Sequence, residues 1–175
     1  DIGTKGEVIA LIRELSRTGT SVILISSELT ELYLGITIVC ALIYAALGMT
    51  GFDAVIHALT TCSTGGFSNY DASLGKYSGP AEIVASLFMF LSSIPFILMI
   101  QGLHGSPGAL WRDSQIRTYV AIIAMICALI MVYQAVWLGL YPSLVMLREV
   151  VFNVISVMTG TGYATSDFWQ WGAFA

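Results

Sequence analysis

Charge is what this sequence has least of: Asp, Glu, Lys and Arg make up 10% of its 175 residues, where soluble domains carry about a quarter. With 57% hydrophobic residues and a mean hydropathy of +0.83, the composition argues for lipid as the main solvent. A net charge of −4 gives no reason to expect a nucleic-acid partner. The three cysteines, Cys40, Cys62 and Cys127, are far apart in apolar surroundings. They have neither metal-type nor redox spacing and read as small apolar fillers of helices. No G-x-x-x-x-G-K-[ST] phosphate loop is present, so ATP hydrolysis is not expected and the chain reads as a non-enzyme without a cofactor. Asp1–Lys5 is polar, and no short apolar region with a cleavage site follows it, so no secretory signal is read there. A first residue other than Met fits a piece of a longer protein.

Along the chain, two grammars meet. In residues 1–32, Val8, Leu11, Ile12 and Leu15 share one helical face, Gly19 can end that helix, and Ser21–Ser26 reads as a short buried strand. From Leu32 onward the grammar is that of a membrane. Tyr33–Gly48, Pro80–Gln101 and Tyr119–Leu140 are uncharged or nearly so. A helix needs about 20 residues to cross the hydrocarbon, so the second and third qualify and the first is marginal. Pro95 is expected to kink the second. Arg112 and Arg117 between the second and third spans, with Lys5, Arg13 and Arg17, place those segments and the N-terminus on the cytoplasmic side of the cell membrane, and Asn69–Gly79 outside.

Two shorter apolar stretches, Phe52–Cys62 and Glu149–Met158, are too short to cross and read as re-entrant half-helices. Each runs into a Gly/Thr/Ser loop. Phe52–Asp71 and Arg148–Asp167 match at a constant offset: Asp53 on Glu149, His57 on Asn153, Thr60 on Ser156, Ser63 on Thr159, Gly66 on Gly162, Phe67 on Tyr163, Asp71 on Asp167. A repeated span, half-helix, loop and span is one structural unit used more than once. A dehydrated cation must exchange its water shell for protein oxygens, and glycine permits the backbone angles that turn carbonyls to a common axis. Ser63 and Thr159 can add hydroxyl oxygens, Phe67 and Tyr163 can pack behind the loops, and the half-helix C-termini point partial negative charge at a cation. His57 and Asn153 either serve pore-helix packing or, for His57, relay protons. Asp71 and Asp167 either concentrate cations at an outer mouth or cap loops and pair with Lys76.

Ser63–Ser68 (STGGFS), Thr159–Phe168 (TGTGYATSDF) and the linker Gly105–Arg117 (GSPGALWRDSQIR) resemble the second and third filter loops and the cytoplasmic connection of TrkH/KtrB-type potassium transporters. The resemblance covers residues 32–175. It implies an all-α membrane protein of four repeats around a pore, of which this chain holds two loops: repeat 33–102, linker 103–118 and repeat 119–175, truncated after its filter. It implies K⁺ passage, with Na⁺ or H⁺ as a candidate coupled ion, a cytoplasmic nucleotide-binding regulatory subunit, a homodimer, and the remaining repeats as partners. Its filter positions carry over onto Ser63, Thr64, Gly65, Gly66 and Phe67, and onto Thr159, Gly160, Thr161, Gly162 and Tyr163. Residues 1–32 instead resemble the end of the catalytic core of a sugar-import ABC ATPase, with Ser26–Leu29 at its switch loop. Since the phosphate loop is lacking, they read as a short αβ remnant fused near Leu29–Tyr33.

Overall fold

The computed structural model describes residues 27–95, 98–99 and 107–165, with positions 10, 14, 17 and 18 ahead of them. The chain divides into two compact units, 1–31 and 32–175. In the first, the Thr18 N–H donates to the Glu14 carbonyl at 3.1 Å, one helical turn. The strand expected at Ser21–Ser26 and the helix stop at Gly19 lie outside the described residues.

Among the described residues every regular element is helical. Helix α1 runs Ser27–Ala46, α2 Gly51–Cys62, α3 Pro80–Ser92, α4 Pro107–Arg112, α5 Ser114–Trp137 and α6 Leu144–Met158, with a 3-10 turn at Ser73–Tyr77 between α2 and α3. Ser27–Leu29, expected in a switch loop, open α1 instead. The starts are set by local chemistry. Thr50 caps α2 by accepting from the Asp53 N–H at 3.2 Å while its hydroxyl donates to the Asp53 carboxylate at 2.9 Å, a reciprocal cap. Asp113 caps α5 through Gln115 and Ile116, Ser143 caps α6 through Met146, and Pro80 opens α3 at the position where its missing N–H costs nothing.

Helix α5 is long and apolar enough to cross a membrane, at 24 residues or about 36 Å. Its buried residues, Ile116, Ile123, Cys127 and Gln134, form one narrow stripe, while Met125, Leu129, Val132 and Val136 face outward. A helix that is apolar on its outer side suits lipid. The second expected span departs from Pro80–Gln101: α3 stops at Ser92 after 13 residues, about 20 Å, short of the roughly 30 Å of hydrocarbon. Pro95 cannot donate to the ladder and disfavours helix at the residue before it, and the Ser93 side chain takes the Phe90 carbonyl at 2.7 Å. The helix is thus broken ahead of Pro95, and the Leu98 and Met99 N–H groups donate back to the Pro95 carbonyl at 2.9 and 3.3 Å. Where the sequence predicts half-helices at Phe52–Cys62 and Glu149–Met158, helices α2 and α6 have 12 and 15 residues, α6 starting earlier, at Leu144.

Helix α6 is the centre of the unit. Both α3 and α5 pack on it, so Val150, Phe152, Val154 and Ile155 are all buried despite pointing in different directions. Helix α2 buries only one face, Asp53, Ala54, His57, Ala58, Thr61 and Cys62, with spacing of four residues between pairs. That face joins Cys40 and Tyr44 of α1 and Phe88 and Met89 of α3 in one core.

Candidate functional site: two loops behind two half-helices

Each half-helix ends in a turn that the next residues cap. The Ser63 N–H donates to Leu59 at 3.0 Å and the Thr159 N–H to Ile155 at 2.8 Å. The Gly66 N–H then reaches back to Thr60 and the Gly162 N–H to Ser156, both at 3.2 Å. The Thr60 hydroxyl donates to the Phe67 carbonyl at 2.9 Å, and the Ser156 hydroxyl to the Tyr163 carbonyl at 2.7 Å. His57 Nδ1 donates to the Asp53 carbonyl at 2.8 Å, and Asn153 Nδ2 to the Glu149 carbonyl at 2.8 Å. Every one of these pairs differs by the same offset that aligns the two sequence segments. Backbone angles repeat as well: φ is +52° at Thr64 and +73° at Gly160, +65° at Gly66 and +82° at Gly162. Thr64 is a β-branched residue in a left-handed conformation, where such residues are strained; its hydroxyl donates to the adjacent Ser63 carbonyl at 2.7 Å.

The loops lie side by side. An added Cβ on Gly66 would sit 1.8 Å from the Thr161 carbonyl oxygen, so only glycine lets the second loop approach there. Tyr163 bridges the same gap with its side chain. It is 1% exposed, its hydroxyl pairs with Thr60 Oγ1, and it lies 3.3 Å from the His57 carbonyl and 3.4 Å from that of Phe67. The Ala164 N–H donates to Ser73 Oγ at 3.3 Å. Among the described residues no hydrogen bond reaches the carbonyl oxygens of Thr64, Gly65, Gly66, Gly160, Thr161 or Gly162, which leaves three backbone oxygens per loop for other partners. The Phe67 and Tyr163 carbonyls, by contrast, are tied back to their half-helices.

The two matching aromatic residues differ in their surroundings. The ring of Phe67 lies beside Gly65 of its own loop, but the residue is 75% exposed, against 1% for Tyr163 at the matching position. Tyr163 reaches α2 of the first copy, and no contact of that kind is found for Phe67 among the described residues. Asp71 is exposed. Lys76 stacks its ammonium 3.5 Å from the centre of the Tyr70 ring, a cation–π arrangement. Asp167 lies outside the described residues. No group of three or more His, Cys, Asp or Glu suited to a metal ion occurs among the described residues.

Behind the first loop lies a polar cluster that the sequence reading passed over. Asp53, buried at the start of α2, accepts from Tyr77 Oη at 2.6 Å, Tyr70 Oη at 2.8 Å and Asn69 Nδ2 at 3.1 Å. The Tyr77, Asn69 and Tyr70 donors hold its carboxyl well below the usual carboxylate range. The same carboxylate pushes the Tyr77 hydroxyl up. His57 is fully buried among the rings of Tyr70, Tyr77 and Tyr163, and its Nε2 meets Ser68 Oγ at 3.1 Å. The cluster ties α2 to the segment that leaves the loop. Its one signal in sequence was the T-x-x-D cap followed by several hydroxyl donors within about 25 residues. A second missed element is the ion pair between Arg148 Nε on α6 and Glu82 on α3, at 2.6 Å. It joins the helix leaving the first loop to the half-helix entering the second.

The comparisons with known proteins bear on this arrangement. No family model matches the chain. It is 39% identical over 153 residues to the Trk system potassium uptake protein TrkI of Halomonas elongata, covering 86% of the chain and 31% of that protein. It is 30% identical over 148 residues to the Trk system potassium uptake protein TrkH of Escherichia coli, covering 82% of the chain and 30% of that protein. The crystal structure of the potassium transporter TrkH from Vibrio parahaemolyticus matches with a TM-score of 0.78 at 27% identity, over 84% of this chain and 32% of that one. The chain therefore spans about a third of the length of these relatives. Over more than four-fifths of its own length, it is homologous to a stretch of the Trk-type potassium uptake proteins and shares its fold with TrkH there.

Proposed function

We propose that residues 32–175 are a segment of a membrane-embedded K⁺ uptake pore and that the two loops are two of its filter strands. The observation that carries this is the pair of equivalent turns, packed against one another, each with three backbone carbonyls free of hydrogen bonds among the described residues. A K⁺ ion that sheds its hydration needs such a set of oxygens. Ser63–Phe67 and Thr159–Tyr163 supply them, with the ends of α2 and α6 adding partial negative charge. Within these stretches the coordinating oxygens are those of Thr64, Gly65, Gly66, Gly160, Thr161 and Gly162, while the Phe67 and Tyr163 carbonyls anchor the loops. Asp71 and Asp167 serve the outer mouth. The outward apolar face of α5 supports a place in the bilayer, with the linker 103–118 and the N-terminus on the cytoplasmic side. To the whole transporter we assign the partners that the family resemblance implies: the further repeats, a nucleotide-binding regulatory subunit and a homodimer. Residues 1–31 form their own compact unit, and we assign that ATPase-like stretch no part in transport and no catalysis.

The test is complementation of a K⁺-uptake-deficient bacterium by the full-length transporter carrying this segment. The unaltered protein restores growth at low K⁺. Gly66→Ala and Gly162→Ala each impair uptake or lower the preference for K⁺ over Na⁺. Full growth with unchanged ion preference in both variants would refute the filter assignment.

A further inference from the structure

We propose that the Tyr163 hydroxyl is a positioning group that sets the first filter loop from the second, through Thr60; this rests on the filter reading above. Thr60 Oγ1 has a single proton and three carbonyls in reach: Phe67 at 2.9 Å in the loop, and Ile56 at 3.0 Å and His57 at 3.3 Å in its own helix. The back-bonds to Ile56 and His57 are the local default for a threonine in a helix. Tyr163 is buried, and its hydroxyl meets the same Oγ1. Tyr163 also has one proton, with Thr60 Oγ1 and the more distant His57 and Phe67 carbonyls, at 3.3 and 3.4 Å, in reach. In the proposed arrangement Tyr163 donates to Thr60 Oγ1, and the Thr60 proton goes to the nearest of its carbonyls, Phe67. The Phe67 carbonyl is then drawn to the half-helix, and with it the end of the stretch whose Thr64, Gly65 and Gly66 carbonyls are unengaged.

The second loop has the same internal tie, Ser156 to the Tyr163 carbonyl at 2.7 Å. Tyr163 is thus anchored to α6 by its backbone and to α2 by its side chain, a link between the loops beside the Gly66–Thr161 approach and the Ala164 bond to Ser73. Position 67 holds Phe in the first copy. Its ring carries no hydroxyl, so it can fill a neighbouring seat without making this hydrogen bond.

Removing only the hydroxyl separates positioning from packing. Tyr163→Phe keeps the buried ring and frees the Thr60 proton to return to Ile56. In the full-length transporter the expected result is a fall in K⁺-over-Na⁺ discrimination of about fivefold to tenfold, the scale of one lost buried hydrogen bond, with membrane abundance retained. Thr60→Val gives the same fall, Thr60→Ser keeps the original ratio, and the double variant Tyr163→Phe/Thr60→Val is no worse than Thr60→Val alone. If Tyr163→Phe fails to reach the membrane, the contrast between Thr60→Val and Thr60→Ser carries the comparison. An unchanged ratio in Tyr163→Phe or in Thr60→Val overturns the proposal, as does a loss of ratio in Thr60→Ser equal to that in Thr60→Val. Absence of K⁺ uptake in the unaltered transporter overturns the functional reading itself, and is distinguished by that control.

Discussion

Gly66 and Gly162 occupy matching positions with nearly the same backbone angle, yet alanine at the two sites should have different consequences. Both residues have left-handed φ, +65° and +82°, so each substitution carries the penalty of an L side chain in that region, about 1–2 kcal/mol. There the likeness ends. At Gly162 the added Cβ would meet nothing within 4 Å, whereas at Gly66 it would lie 1.8 Å from the Thr161 carbonyl oxygen and 2.8 Å from the carbonyl carbon. Backbone cannot swing aside as a flexible side chain can. Restoring an ordinary contact requires the two loops to part by more than an ångström, and overpacking of that kind adds about 1–3 kcal/mol. The expected sums are about 1–2 kcal/mol for Gly162→Ala and about 2–5 kcal/mol for Gly66→Ala. For a chain of this size each kcal/mol lowers the melting temperature by about 2–4 °C. Thermal unfolding of the purified chain in detergent should therefore rank Gly66→Ala clearly below Gly162→Ala. Equal melting temperatures, or the reverse order, would show that the loops are not in contact at Thr161 and would refute the side-by-side placement.

Other consequences follow from the buried polar groups. The Glu82 side chain is 1% exposed and that of Arg148 26%, so the two halves of the ion pair are not equivalent: Arg148→Met strands a buried carboxylate and should cost about 3–5 kcal/mol, while Glu82→Gln leaves a guanidinium that can turn to water and should cost less. Chemical denaturation of the two variants checks the order. Asp53 has its carboxyl pKa depressed by Tyr77, Asn69 and Tyr70, so its contribution to stability is complete above the unfolded value of about 3.9 and lost as pH falls below it. The difference in melting temperature between the unaltered chain and Asp53→Asn should accordingly be flat from pH 5 to 8 and shrink below about pH 4. Thr50→Ala removes the cap of α2 and should cost about 1 kcal/mol, read as a lower melting temperature, with Thr50→Ser close to the original.

What could be read in advance was what repeats locally. The half-helices declared themselves through apolar runs too short to cross a membrane, and His57 and Asn153 proved to make the same hydrogen bond four residues back. The end of α3 was half legible: Pro95 signalled a disturbance, but the continuous hydropathy through Phe96–Gln101 hid that the helix ends at Ser92. The Glu82–Arg148 pair spans 66 residues, and no local pattern selects among the few charges available. The alignment paired Asp53 with Glu149 and the T-x-x-D pattern marked it as a cap residue, but neither reveals its donors, which come from a 3-10 turn and a loop.

Phe67 and Tyr163 give the physical reason for the remaining gap. As sequence they are equivalent aromatic residues at equivalent positions, and any rule based on local pattern assigns them one environment. As structure they differ from 75% to 1% exposed, because Tyr163 packs against His57 and Thr60 of α2 and Phe67 has no such neighbour among the described residues. Burial here belongs to the contact between successive copies and not to either copy. A second repeat therefore completes the surroundings of its own aromatic and leaves the first one's open, and the same logic makes Tyr163, not Phe67, the side chain through which one loop can report its position to the other.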